Sequence, residues 1–304
     1  MNGILIFDKP AGVTSHDVVA HVRRTLKQKK VGHTGTLDPF ATGVLPIALG
    51  EATKIIPYLD ESVKEYRAVM RLGISTDTQD YTGKELSRNE TQHLTREQIL
   101  ESFADFSGPI AQIPPMFSAV KQGGIPLYKR ARRGEEVERA PRQIVIHNLF
   151  LEHCNLPYVT FTVLCSRGTY VRTLANDIGE ALGCGAHLVE LRRTKSGIFT
   201  LEDAILMESL PDLYVNDSLS GHLVTPFQAL SHLPYVTLSE EGAKKVGFGR
   251  SPSKTDYELP LGEELADGQS LCLVREDKLL AIGSSSGFTQ SDQEKTISLL
   301  RVFS

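Results

Sequence analysis

The chain lacks most of the devices by which a sequence declares its chemistry. Its four cysteines, Cys154, Cys165, Cys184 and Cys272, lie far apart with no Cys-x-x-Cys spacing, which excludes a zinc framework and a disulfide scaffold. The nine histidines are scattered, so no metal site is expected. No uncharged apolar run approaches membrane-span length, and residues 1–8 are too short and too soon charged for a signal peptide. No membrane association and a reducing cytosol are therefore expected. Also missing are a Gly-x-x-x-x-Gly-Lys phosphate loop, a strand–Gly-x-Gly-x-x-Gly–helix fingerprint, a His-Glu-x-x-His pair and a Gly-x-Ser-x-Gly elbow. The net charge of −4, from 33 basic and 37 acidic residues, gives no overall attraction to a polyanion.

What is present is local. At 304 residues the chain exceeds one average domain, so one large and one small domain are expected. Residues 9–30 carry six Lys/Arg against the single acid Asp17, and residues 121–142 carry seven against Glu135, Glu136 and Glu138. Such patches on a mildly acidic chain suit a polyanion held at defined places, although charge runs by themselves usually mean solvated faces. Between Gly32 and Leu45 a glycine- and threonine-rich loop holds one carboxylate, Asp38. Pro39 keeps Asp38 out of the α region, on an extended corner, and the apolar run at 44–49 anchors the loop to a core. An Asp-Pro pair alone is an ordinary turn opener. A lone acid so placed is also able to act as a nucleophile at a sugar or activated ring carbon, or as a general base.

Residues 4–7 read as a short buried strand ended by a Lys9-Pro10-Ala11-Gly12 turn. Thr14 or Ser15 caps a helix with the stripe Val18, Val19, Val22 and Leu26. A strand at 44–49, a helix near 51–59, a strand at 66–72, a polar loop at 76–83 and a helix at 96–106 follow. Pro114-Pro115 breaks the chain before a basic segment, about 122–141, with no clear period, expected to be mobile or ordered by a partner. Residues 144–152 and 158–166 read as a hairpin, with Val159, Phe161, Val163 and Cys165 on one face. A helix with Val171, Leu174, Ile178 and Leu182 ends at Gly183, and a strand follows at 189–199. From Tyr235 the pattern changes to short strands and turns, with a hairpin across Glu276-Asp277-Lys278 and a last strand at 297–303. The class is α+β, with a boundary near residue 233.

Taken together, ordered segments resemble the TruB family of pseudouridine synthases, which isomerise the T-loop uridine of tRNA. They are Leu5-Ile6-Phe7-Asp8-Lys9-Pro10-Ala11-Gly12-Val13-Thr14-Ser15, Val31-Gly32-His33-Thr34-Gly35-Thr36-Leu37-Asp38-Pro39 with Ala41-Thr42-Gly43, and Gly50-Glu51-Ala52-Thr53-Lys54. Tyr66-Arg67, Leu72-Gly73 with Thr76-Asp77-Thr78, and Pro114-Pro115-Met116-Phe117-Ser118-Ala119-Val120-Lys121 continue the set. Gly124-Ile125-Pro126-Leu127-Tyr128, Cys165-Ser166-Arg167-Gly168-Thr169-Tyr170-Val171-Arg172 and the stretch from Leu188 to Arg193 complete it. Each piece is weak alone; the ordered set, from about Gly3 to Phe199, is specific.

The resemblance implies a pseudouridine-synthase fold over 1–232, with a mixed, mostly antiparallel sheet flanked by helices and loops. It implies a small β-rich, PUA-like RNA-binding domain over 233–304. It makes Asp38 the nucleophile, Tyr66 the residue that stacks on the target base and takes the C5 proton, and Arg172 the partner that keeps the carboxylate ionised. His33 would displace the uridine from the T loop, and Tyr170 and Leu191 would line the uracil pocket. Lys54 would lie beside the site as a phosphate or structural contact. Lys129, Arg130, Arg132 and Arg133 would grip the RNA backbone from the inserted segment. Thr76, Asp77, Thr78 and Asp80 are expected to form a structural or RNA-facing loop, not a metal cluster. No cofactor and no metal are implied, because the reaction is an isomerisation. The implied partner is tRNA, at its T stem-loop and elbow, met by a cytoplasmic monomer with no guide RNA or protein partner. A binding protein is the alternative class: an RNA-folding chaperone with an inert pocket. Both activities fit one chain, since opening a tRNA elbow would also help misfolded tRNA rearrange.

Overall fold

The computed structural model describes residues 1–60, 62–260, 265–286 and 296–303. Its first strand, β1 (Gly3–Lys9), sends Leu5 and Phe7 to one face and Ile4 and Ile6 to the other, and all four are buried. A strand apolar on both sides belongs inside a sheet that is covered on both faces. β1 pairs antiparallel with β3 (Thr42–Leu49), from Gly3 opposite Leu49 to Lys9 opposite Gly43. The short β2 (Val31–His33), which sequence periodicity does not reveal at three residues, pairs with the far end of β3.

The large sheet has ten strands. From β1 and β3 it continues through Ala186–Ser196, β4 (Val63–Leu72), Tyr158–Ser166, Arg142–Asn155 and Gly108–Gln112, with Ala204–Leu206 outside β1. Only the pairs of β1 with Ala204–Leu206 and of β3 with Ala186–Ser196 are parallel. The sheet is thus mixed and mostly antiparallel, as expected. One face packs against three helices, α1 (Ser15–Thr25), α2 (Arg96–Asp105) and the helix Val171–Ala181, through Val18, Val22, Ile99, Phe103, Leu174 and Ile178. Thr14 is the N-cap of α1, in a reciprocal pair with Asp17.

A second, five-stranded sheet holds Tyr235–Leu238, Tyr257–Glu258, Ser270–Arg275, Lys278–Ser286 and Thr296–Val302. It has its own small core around Val236, Leu271, Leu273 and Ala281. Cys272, Val274 and Ile282 from it join Ile4, Ile6 and Val44 in a further cluster, which covers the other face of β1 and β3.

Three expectations change. The helix near 51–59 is a 3-10 helix, Gly50–Tyr58; Pro57 lacks the N–H that an α-helical turn there would use. The strand expected at 189–199 runs instead over Ala186–Ser196 and breaks at Gly197, where a Cβ would lie 2.0 Å from the Asp60 carbonyl oxygen. The basic segment, though its sequence has no period, holds regular structure: Lys121–Gln122 and Ile125–Pro126 form a ribbon, followed by the helix α3 (Leu127–Ala131). Leu127, 1% exposed, seats it, a single anchor too sparse to give a period. The Val171–Ala181 helix, hereafter α4, ends before Gly183 as read from the sequence.

Candidate active site

The site is built on one row of the large sheet. Lys9 stands opposite Gly43, Gly43 opposite Arg193, and Arg193 opposite Tyr66. Residues in register share a face, so the side chains of Lys9, Arg193 and Tyr66 point to the helical side, and Leu191, two residues before Arg193, does the same. Gly43 has φ +102°, and a Cβ there would sit 2.2 Å from the Arg193 carbonyl oxygen. Glycine is what lets β3 and the Ala186–Ser196 strand meet at this point.

The loop between β2 and β3 lies over that row. Its backbone is tied down by Ser15 Oγ, which accepts from Leu37 N at 2.9 Å, and by Gly12 N, which donates to Pro39 O at 2.8 Å. Its own Leu37 and Ala41 are buried. Asp38 therefore stands on a fixed corner with its side chain 34% exposed. Lys9, fully buried, donates from Nζ to Val13 O at 2.8 Å and to Pro39 O at 3.3 Å.

Arg172, in the first turn of α4, meets Asp38 with Nε 2.9 Å from Oδ2 and Nη2 3.4 Å from Oδ1. The remaining donors are used as well. Nη1 donates to Thr78 O at 2.8 Å and lies 3.3 Å from Asp80 Oδ2, and Nη2 donates to Phe117 O at 2.8 Å. A guanidinium held at four points is a rigid counter-ion. Burial pushes the Asp38 carboxyl above its ordinary value; Arg172 pulls it back and Asp80 adds to the rise. The carboxylate is thus poised between a desolvating site and a fixed cation.

Tyr66, 8% exposed, lies close enough to Asp38 and Arg193 to feel both charges. Burial pushes its hydroxyl up and Arg193 opposes the rise. Tyr170 directly precedes α4. Its backbone N–H donates to Gln112 Oε1 at 2.8 Å, its carbonyl accepts from Gln112 Nε2 at 3.1 Å, and the charges of Asp38 and Arg172 reach its hydroxyl. Leu191 is buried beside Ala68 and lines a cavity of about 390 Å³ with Phe40, Thr42 and Tyr81. His33 ends β2, five residues before Asp38, and packs edge-on against His16 with ring centroids 5.3 Å apart.

Asp38, Tyr66, Arg172, Tyr170 and Leu191 are thus brought to one place. Lys54 is not placed with them: it lies past the far end of β3, pairs with Glu51, and donates to Val302 O at 3.1 Å. Lys129 and Arg130 lie on α3, with Arg132 and Arg133 in the turn after it; all but the half-buried Arg130 are exposed. Arg132 covers the Tyr128 ring at 5.6 Å. Sequence reasoning missed Asp80, Lys9, Arg193 and Gln112 as parts of the site. From the sequence Asp80 reads only as a member of a polar loop.

Among the described residues no group of His, Cys, Asp and Glu could hold a metal ion, and no helix is long and apolar enough to cross a membrane.

Residues 23–171 match the family described as "TruB family pseudouridylate synthase (N terminal domain)", and residues 172–230 match "tRNA pseudouridylate synthase B C-terminal domain". The chain is 52% identical over 303 residues to tRNA pseudouridine synthase B of Geobacter sulfurreducens, with all of both chains covered. It is 53% identical to the protein of the same name from Geotalea uraniireducens, covering 100% of this chain and 98% of that one. Among solved structures it resembles a chain of an H/ACA ribonucleoprotein bound to a substrate RNA containing 2'-deoxyuridine, at TM-score 0.75 and 28% identity, over 99% of this chain and 85% of that one. A chain of a Cbf5-Nop10-Gar1 complex superposes equally well, at TM-score 0.75 and 30% identity, over 99% and 84%.

Proposed function

The chain belongs to the TruB family of pseudouridylate synthases, and we propose from its site how it works as a tRNA pseudouridine synthase, an isomerase that needs only its own side chains. The observation that carries this reading is the Arg172–Asp38 pair, one carboxylate clamped by a guanidinium, with Tyr66 and Tyr170 close enough to feel its charge.

The substrate uridine sits in the T loop and is everted to reach the site. His33, at the rim, takes the space it leaves. Tyr170 and Leu191 enclose the uracil, and Tyr66 stacks against it. Asp38 attacks as a nucleophile, at the sugar carbon or at the pyrimidine ring. The N-glycosidic bond breaks, the base turns, a C–C bond forms between C5 and the sugar, and the bond to Asp38 is broken, which returns the carboxylate. Tyr66, acting as its phenolate, then takes the C5 proton and a proton returns to N1, so atoms and charge balance with no added group. Arg172 keeps Asp38 aimed and charged through these steps.

The exposed cations Lys129, Arg132 and Arg133, with Arg130, contact the phosphates of the stem-loop, which fixes register while shape and the everted base select. The chain divides into a catalytic domain over 1–232 and an RNA-binding, PUA-like domain over 233–304 that touches the rest of the tRNA. The chain acts alone, as a monomer, in the cytoplasm. Lys54 serves the junction between the sheets and not the chemistry. The test is Asp38→Asn, assayed for pseudouridine on a tRNA transcript and for tRNA affinity. Product formation is expected to vanish while affinity persists; continued turnover would remove Asp38 from the chemistry.

A further inference from the structure

Among the described residues Arg193 is the largest fully buried side chain, and it carries a positive charge yet forms no ion pair. An isolated buried charge is costly, so something must offset it. Two of its bonds are to the loop that carries Asp38. Nε donates to Val44 O at 2.7 Å and Nη2 to Gly35 O at 3.2 Å. Gly35 and Val44 flank the segment that contains Asp38, so one guanidinium closes that segment at both ends. Among the described residues no acceptor meets the buried Nη1, and the guanidinium lies beside the Tyr66 hydroxyl on the adjoining strand.

We propose that Arg193 is a positioning residue for the isomerisation: it staples the Asp38 segment and supplies the counter-charge when the Tyr66 oxygen is ionised. The inference rests on the roles of Asp38 and Tyr66 proposed above. Three groups face the Tyr66 oxygen from the elements packed around it. Arg193 on one neighbouring strand favours the phenolate, whereas Asp38 on the loop and Cys165 on the other neighbouring strand oppose it. Burial pushes the Cys165 thiol up to about 11, so it stays neutral at ordinary pH. Arg193 is therefore the one cation in that set. Lys9, the other buried cation of the row, is spent on the carbonyls of Pro10, Val13 and Pro39. The cation that has no ion-pair partner among the described residues is matched by a negative charge that the reaction requires.

The test measures single-turnover pseudouridine formation from about pH 6 to about pH 10 in Arg193→Met and Arg193→Lys, beside Tyr66→Phe and Asp38→Asn. Arg193→Met is expected to lose about a hundredfold near neutrality, with tRNA affinity within about threefold, and to recover as pH rises, because the phenolate then forms without help. Arg193→Lys keeps the charge but cannot span both carbonyls, so it should lose about tenfold at every pH and keep the parent profile. A loss in Arg193→Met that is equal at all pH values, or a rate within about threefold of the parent in either variant, overturns the proposal. Should Arg193→Met fail to fold, the Arg193→Lys result decides alone. An inactive Asp38→Asn beside parent-like Arg193 variants defeats only this inference; an active Asp38→Asn defeats the reading beneath it.

Discussion

Asp80 holds Arg172 by the edge that Asp38 leaves free: Arg172 Nη1 lies 3.3 Å from Asp80 Oδ2, while Nε lies 2.9 Å from Asp38 Oδ2. Asp80, 4% exposed, is itself fixed through Oδ1 by the hydroxyl of Thr78 and the backbone N–H of Thr82. A lysine ammonium at position 172 is a point charge and cannot serve both carboxylates and the carbonyls of Thr78 and Phe117. Arg172→Lys should therefore cost about a hundredfold in the chemical step, and Asp80→Asn about tenfold or more, each with near-parent tRNA affinity. Single-turnover rates and filter binding on one tRNA transcript measure both. Parent-like rates in Arg172→Lys would show that charge alone suffices.

The meeting of β3 with the Ala186–Ser196 strand makes a prediction about stability. Gly43→Ala must push a methyl group into the Arg193 backbone in a left-handed conformation, at a cost of about 2 to 4 kcal/mol. Gly12 has φ +84° but open space around it, so Gly12→Ala should cost about 1 kcal/mol from backbone strain alone. Denaturant melts of the two variants separate the effects. Equal losses would mean that the close approach is relieved by small shifts.

How far the site could be read in advance depends on what kind of fact each residue represents. Asp38 and its proline corner are local, as are the Thr14 cap and the run 4–7. Asp80 is not local: it joins the site because its loop docks on the strand at Leu188, where Tyr81 N donates to Leu188 O at 2.9 Å. Arg193 sits in the run Arg192-Arg193-Thr194-Lys195, which reads as a solvated face. Alternation across a covered sheet buries Arg193 completely, while the Arg192 side chain stays 40% exposed beside Asp8. Lys54 errs the other way. A matching motif placed it beside the site, yet the length of β3 carries it to Val302 at the opposite end.

The basic helix predicts a salt response. Reversing Lys129, Arg130, Arg132 and Arg133 to Glu should weaken tRNA binding more than Asp38→Asn does, because the latter leaves every phosphate contact in place. Parent affinity should fall by about 0.7 to 0.9 log units per phosphate contact for each log unit of added salt, and the reversed variant should show a shallower slope. Titrations at several salt concentrations check this. A flat response in the parent would refute electrostatic gripping by α3.

The second sheet makes a prediction in acid. Lys245 and the Ser253 cap hold Asp256 down at about 2, with Lys245 Nζ 2.7 Å from Oδ2. A carboxylate lowered in the folded state stabilises above its unfolded value, and that contribution fades as pH falls toward the folded one. Asp256→Asn should therefore lower the melting temperature at neutral pH, with the difference from the parent closing as pH falls below about 4. Thermal melts across that range decide it. A gap that is constant with pH would assign the loss to packing.

The acid limb of the reaction should belong to Asp38. Its active form is the carboxylate, and its carboxyl is pushed above the ordinary aspartate range by burial and by Asp80. The rate should thus fall as pH drops through that raised value, earlier than for a solvated aspartate. Arg172 acts against the rise, so Arg172→Gln, which leaves Asp38 and Asp80 without a shared cation, should move the limb to still higher pH. Neutral rates would then fall partly through lost ionisation, and alkaline buffer should restore that part. The part that no pH restores measures what Arg172 does by aiming the carboxylate. A limb that stays in place in Arg172→Gln would mean that another group titrates, and that the guanidinium acts by geometry alone.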